Sequence, residues 1–232
     1  MGPQSVLFPI APSYLRRAAL LTLFIAAPLL AQTKAPASPS VPQVAVVINL
    51  RSSELTVIDA KYRVFYNKFE KKTLPIQGYD LRSAIQDEVM TRLAEDKRFQ
   101  WRMASDDDQL DPVKLADEKH RTAEMVSTPK ADRVLLVDVW GFGAWVTALA
   151  ADRMDAGFDF VMLDRATGRK LWKHRIVERI KFSGDLQKLQ ADNQKELKEG
   201  VNKLIENVCQ KMKTKIAQIG RASCRERVYV LV

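Results

Sequence analysis

The chain is short of the residues that most catalytic chemistries need. It has two cysteines, Cys209 and Cys224, and two histidines, His120 and His174, in 232 residues. A zinc site draws three or four N, S or carboxylate ligands at recognisable spacing, and neither histidine has such company. Each is expected to be a surface or packed structural residue, with no metal. Cys209 lies inside a helical apolar pattern and reads as a small buried core residue rather than half of a disulfide. No cofactor motif is present either. Gly141-Phe142-Gly143 is only a fragment of a phosphate-binding G-x-G-x-x-G, and Val146 stands at its sixth position. Ser127-Thr128-Pro129-Lys130 matches S-x-x-K, but the S-x-N and K-T-G partners of that chemistry are missing. Asp106-Asp107-Asp108 lacks the spacing of a calcium loop and reads as a solvated turn. The acidic pair Asp87/Glu88 falls on the outer face of a helix. No catalytic residue is assigned, and the protein is not expected to be an enzyme.

A long hydrophobic run is also lacking. The apolar stretch Ala18 to Ala31 is shorter than the roughly 20 residues that span a bilayer. It follows Arg16 and Arg17 and ends in a small residue, the pattern of a secretory signal peptide over residues 1–31. Residues 32–42 are rich in Pro, Ala and Ser, and read as a solvated linker. No cysteine follows Ala31-Gln32, so a lipobox is not expected, and the protein is read as periplasmic or secreted and soluble after cleavage. Residues 219–232 resemble a translated sequencing adapter and are suspected not to be native. No role is given to them.

Lys and Arg (37) exceed Asp and Glu (28), giving +9. Part of that charge belongs to Arg16, Arg17 and the arginines after Ile219. The mild excess that remains selects no partner by itself, and nucleic acid is not expected.

What is present is one α/β domain over residues 43–218. Val44 to Leu50 reads as a strand covered on both faces. Leu55–Ile58 and Tyr62–Tyr66 are candidate strands, followed by a polar stretch, Lys68–Thr73. Asp80 caps an amphipathic helix, about Leu81 to Asp96. Phe99, Trp101 and Met103 alternate as a half-buried strand. Asp111-Pro112 starts a polar helix to about Val126, and Arg133 to Trp145 is a second strongly apolar strand.

A hairpin follows. With Asp164 paired to Lys170, Phe158, Phe160 and Met162 are matched with Ile176, His174 and Trp172, and Asp159 and Asp155 with Arg175 and Arg179. Its connection fits a type I turn with Gly168 in a left-handed bulge. A long helix, about Asn193 to Ala217, capped by Asp192 or Ser183, closes the domain. The expected class is α/β (α+β), a single mixed β-sheet with helices packed on it, in β-α-β-(α)-β-β-β-α order.

Two features point to a surface. Trp140, Phe142 and Trp145 lie in a Gly-containing apolar segment that either contacts a partner or packs as core or sheet edge. Lys173 and Arg175 belong to a basic stripe at period two that suits phosphates or acidic glycans, though Asp155 and Asp159 stand opposite it and no stacking aromatics interleave with the cations.

Ala131-Asp132-Arg133-Val134-Leu135-Leu136-Val137 and the Asp164-x-x-Thr167-Gly168-x-x-Leu171-Trp172 hairpin form part of a wider pattern. With Val44-Ala45-Val46-Val47, the Ser83 to Leu93 helix and Lys97-Arg98-Phe99, the layout resembles bacterial envelope proteins of the CsgG/LpoB kind, related in shape to the TolB N-terminal domain. The resemblance spans about Val44 to Gln218. It implies a protein that binds partners in secretion, peptidoglycan synthesis or envelope assembly, with no shared catalytic residues. An envelope protein partner is therefore expected, with peptidoglycan or a membrane surface as further candidates and the oligomeric state open. Two other functions stay in play: a hydrolase or accessory enzyme with a cleft near residues 141–150, and a glycan or anionic-lipid binder.

Overall fold

The β-branched run Val44 to Ile48 is buried throughout, as a strand covered on both faces must be. It forms the centre of β1 (Gln43–Leu50) in the computed structural model, which describes residues 41–63, 66–128, 130–147, 153–181 and 190–219. The expected signal peptide, nearly all of the linker, Phe182, Ser183 and the tail beyond Ile219 lie outside the described residues.

The sheet is organised by its longest strand, β5 (Arg133–Thr147). β1 runs parallel to its first half, from Val44 opposite Arg133 to Leu50 opposite Val139. β2 (Glu54–Arg63) runs parallel to its second half, with Thr56 opposite Gly143. β6 (Arg153–Asp164) occupies the other side of β5 antiparallel, from Asp164 opposite Arg133 to Arg153 opposite Trp145. β1 and β2 therefore follow one another along a single side of β5. β4 (Gln100–Met103) extends the sheet beyond β1, and β3 (Tyr66–Pro75) extends it beyond β2. β7 (Lys170–Lys181) pairs antiparallel with β6 and completes a seven-stranded mixed sheet. The expected class holds. The polar stretch Lys68–Thr73 proves to be part of β3, where lysines suit an outer strand by discouraging edge-to-edge pairing.

One face of the sheet is covered by α1 (Leu81–Leu93) and α4 (Lys195–Ile216). α1 begins where expected, since the Asp80 carboxylate accepts the Ser83 N–H at 3.1 Å. Its stripe Leu81, Ile85, Val89 and Leu93 packs with Val201, Leu204, Val208 and Met212 of α4 against Leu135, Val137, Phe158 and Phe160. Cys209 is buried in the same core. The start of α4 differs from expectation. Gln194, not Asp192, stands at the N-cap position and makes no side-chain cap bond, Asp192, Asn193 and Gln194 all take positive φ, and the alternative cap Ser183 lies outside the described residues. Buried Gln194 holds that turn by accepting from Gln77 N (2.7 Å) and donating to Pro75 O (3.0 Å).

The opposite face is covered over half its length. α2 (Pro112–Ala116) and α3 (Ala123–Val126) bring Leu115 and Val126 over Val47, Val134, Leu136, Val161 and Leu163. The single polar helix expected over this region is thus two short ones. Asp117 accepts from Lys119 N (3.2 Å) and contacts His120 Nδ1 (2.7 Å), and Arg121 Nε donates to Leu115 O (2.9 Å). These local bonds replace the helical ladder. Asp106–Asp108 is a short 3-10 turn, and Asp108 is buried rather than solvated.

The hairpin of β6 and β7 has the register its side chains predict. Phe158, Phe160 and Met162 face Ile176, His174 and Trp172, and Asp159 and Asp155 face Arg175 and Arg179. Gly168 takes φ +67°. A register shift after Met162 sets Leu163, not Asp164, opposite Lys170.

Candidate functional site

Beyond Leu136 and Val161 the second sheet face turns from apolar to polar. Period-two alternation puts Asn49, Asp138, Asp159 and Arg175 in one row across β1, β5, β6 and β7, each opposite the next. Asp138 and Asp159 are buried like charges side by side, an unfavourable pairing unless each is neutralised. Asp138 accepts from Asn49 Nδ2 (2.8 Å) and from Arg51 Nε and Nη2 (3.0 and 2.6 Å). Asp159 accepts from Arg175 Nε and Nη2 (2.7 and 2.9 Å). Burial pushes the Asp159 carboxyl up, but Arg175, Lys173 and Trp140 outweigh it and leave the group below the usual carboxylate range. Both guanidiniums are more than half exposed while their carboxylates lie beneath them. The outer layer of this row is cationic.

A bulge between Val139 and Gly141 lays Trp140 across β6. Its ring rests on Gly157, and Arg175 Cζ stands 5.4 Å from the ring centroid. Further along, Arg153 stacks on Trp145 at 4.6 Å. Asp155 lies between, 3.5 Å from both Arg153 and Arg179, with its Oδ1 buried and lacking a hydrogen-bond partner. Trp140 is 40% exposed and Val177 44% exposed, so among the described residues the helical cover ends before them.

Four of the five residues singled out in the sequence share this face: Trp140, Trp145, Lys173 and Arg175. Lys173 reaches Glu118 (3.0 Å) and Asp159 (3.8 Å). Hydrogen bonds from Lys170 and Lys173 lower the Glu118 carboxyl to about 2. Phe142 is the correction. It is 3% exposed and sits edge-on to Phe158 (centroids 5.7 Å apart) in the helix-side core, because the bulge leaves 142 in phase with Val137 and Val139 on the core side. Sequence reasoning missed Arg51, Asp138, Arg153, Gly157 and Val177. The available signal was a charge embedded in an apolar strand, as at Asp138 within Val134 to Val139.

A recess of about 470 Å³ lined by Asn49, Arg51, Val113 and Asp117 separates α2 from the polar row. A second, of about 420 Å³, lies where the parallel strands β1 and β4 end, lined in part by Arg82, Gln86, Ser105 and Gln109. Residues 141–147, near which a cleft was one expectation, lie along β5, and 148–150 are outside the described residues. Among the described residues no three His, Cys, Asp or Glu are grouped to hold a metal ion, and no helix is long and apolar enough to cross a membrane. The chemistry this face offers is recognition: aromatic stacking beside oriented guanidiniums.

The fold defines a class: a seven-stranded mixed sheet with helices packed on both faces, the second face covered over only part of its length among the described residues. No protein-family model matches the chain, and no curated protein matches it. Among solved structures, the hypothetical protein CT253 from Chlamydia trachomatis shares the fold, with a TM-score of 0.52 and 10% identity over 77% of this chain and 96% of that one. A protein from Xanthomonas campestris (TM-score 0.47, 10% identity, 81% and 93% covered) aligns over a similar length. So does a minor lipoprotein from Acinetobacter baumannii (0.39, 10%, 76% and 92%). At those scores the last two add nothing to the fold assignment.

Proposed function

We propose that this protein is a non-catalytic binding module of the bacterial cell envelope. It engages an anionic envelope component through the open half of its sheet, as CsgG/LpoB-like proteins engage their partners in secretion, peptidoglycan metabolism or envelope assembly. One observation carries the reading: Trp140, Trp145, Arg51, Arg153 and Arg175 share a face that no helix among the described residues covers, with buried carboxylates orienting Arg51 and Arg175 from beneath. Buried ion pairs contribute little net stability, whereas a pre-oriented guanidinium loses less freedom when it binds. The signal-like first residues and the Pro-rich linker support export. The test is site-specific photocross-linking in cells, with the reactive residue at Val177 on the open face or at Gln210 on the exposed side of α4. Adducts are expected from 177 and not from 210. No adduct at 177, or the same adducts at both positions, refutes the reading.

A further inference from the structure

The open face carries an aromatic ring packed directly on a glycine, and its neighbours specify a ligand. A Cβ at Gly157 would come within 2.3 Å of the Trp140 ring. The indole therefore packs on bare backbone, an approach that only glycine permits. Its inner face is against the strand, and the ring remains 40% exposed. On the neighbouring β7, Lys173, Arg175, Val177, Arg179 and Lys181 alternate onto the same face. Successive members of that comb stand roughly 7 Å apart. Its one uncharged member, Val177, lies opposite Gly157. The ring and Val177 thus form a small apolar spot between two arginines.

We propose that this spot is a subsite for an acidic pyranose, the repeating unit of an anionic glycan. The apolar C–H face of the sugar stacks on Trp140 and Val177, and its carboxylate is received by Arg175 or Arg179. Further acidic units follow the comb toward Lys173 and Lys181. This rests on the open face being the binding surface and names its ligand class. Charge complementarity selects the acid: Lys173, Arg175, Arg179 and Lys181 of β7, with Arg153 of β6, outnumber the carboxylates beside them, Asp155, Asp159 and Glu118, and Asp159 holds Arg175 in place. Shape selects the sugar over a bilayer, since the ring is packed down on Gly157 rather than free to enter acyl chains as a wedge.

The test titrates the full chain with a galacturonic acid hexamer, with maltohexaose and with phosphatidylglycerol vesicles, by calorimetry and tryptophan fluorescence. The acid hexamer is expected to bind, and to bind more weakly as salt is added. Trp140→Ala should weaken binding about tenfold, whereas Trp140→Phe keeps most of it. Val177→Asp changes only an exposed side chain and should abolish binding with the fold intact, so the subsite is tested even if Trp140→Ala disturbs the bulge. Equal affinity for maltohexaose, binding to vesicles alone, or hexamer affinity untouched by Val177→Asp overturns the proposal. A protein cross-link from position 177 without affinity for the hexamer would keep the open face as a binding surface and remove the sugar.

Discussion

Asp108→Asn tests what keeps half of the second sheet face covered while the other half stays open. The side chain is 1% exposed. It accepts from Arg102 Nη1 and Nη2 (2.6 and 2.7 Å), Ser105 N (2.8 Å) and Thr128 Oγ1 (2.5 Å). It thereby ties β4 to the segment after α3. Asparagine keeps the shape but removes the counter-charge and points amide hydrogens at donors. Breaking a buried pair costs about 3–5 kcal/mol, and because Arg102 keeps some solvent the expected loss is about 3 kcal/mol. For a domain of this size that lowers Tm by about 6–12 °C. The assay is urea unfolding at pH 7, with the midpoint lowered and the slope unchanged. The Arg102 hydrogen bonds hold the Asp108 carboxyl far below the usual range, against the upward push of burial. A carboxyl depressed on folding stabilises the fold above its unfolded pKa and loses that contribution as pH falls toward its folded one. The gap between wild type and variant should therefore narrow below about pH 4. A gap under about 1 kcal/mol at pH 7, or one that widens in acid, refutes the reasoning.

Two neighbouring aromatics should respond unequally: Phe142→Ala is expected to cost about 3–5 kcal/mol as a core deletion, and Trp140→Ala no more than about 1 kcal/mol. Equal losses on denaturant unfolding would mean that the bulge does not separate their faces. Gly168→Ala should destabilise by about 1–2 kcal/mol or more, because φ is +67° and the new Cβ would lie 2.9 Å from the Ala123 backbone; an unchanged Tm would reject that turn. Burial raises the Cys209 thiol to about 12. In a Cys224→Ser background, iodoacetamide at pH 8 should label it only as fast as the protein opens, and rapid labelling of the native state would show that the helix-side core is looser than described.

Much of the fold was legible because it is written in local periodicity. The Asp80 cap and the stripe Leu81, Ile85, Val89, Leu93 locate α1 without reference to anything distant. The β6–β7 register was readable because shifting it by one residue would set Phe160 against a lysine. The polar helix was misread because its break depends on what Asp117 and Arg121 bond to, and composition does not reveal that. Asp108 was misread because an acidic triplet looks solvated until Arg102 and Thr128 arrive from elsewhere in the chain. The candidate face was half legible: alternation gave the cations of β7, and a Gly-containing apolar segment marked Trp140, Phe142 and Trp145 together, but neither could decide which of these aromatics faced out.

By itself, then, the sequence determined the class of fold, the order of its elements, a basic comb on one strand and the expectation of export. Those follow from period-two and period-3.6 patterns, which act within a few residues. Only the tertiary structure decided that the comb has an aromatic companion. Trp140 lies on β5 and the comb on β7, with β6 between them, and a single extra residue at the bulge carries the indole across Gly157 to Arg175. Alternation fixes the face a residue occupies, whereas strand order and a one-residue bulge fix its neighbours.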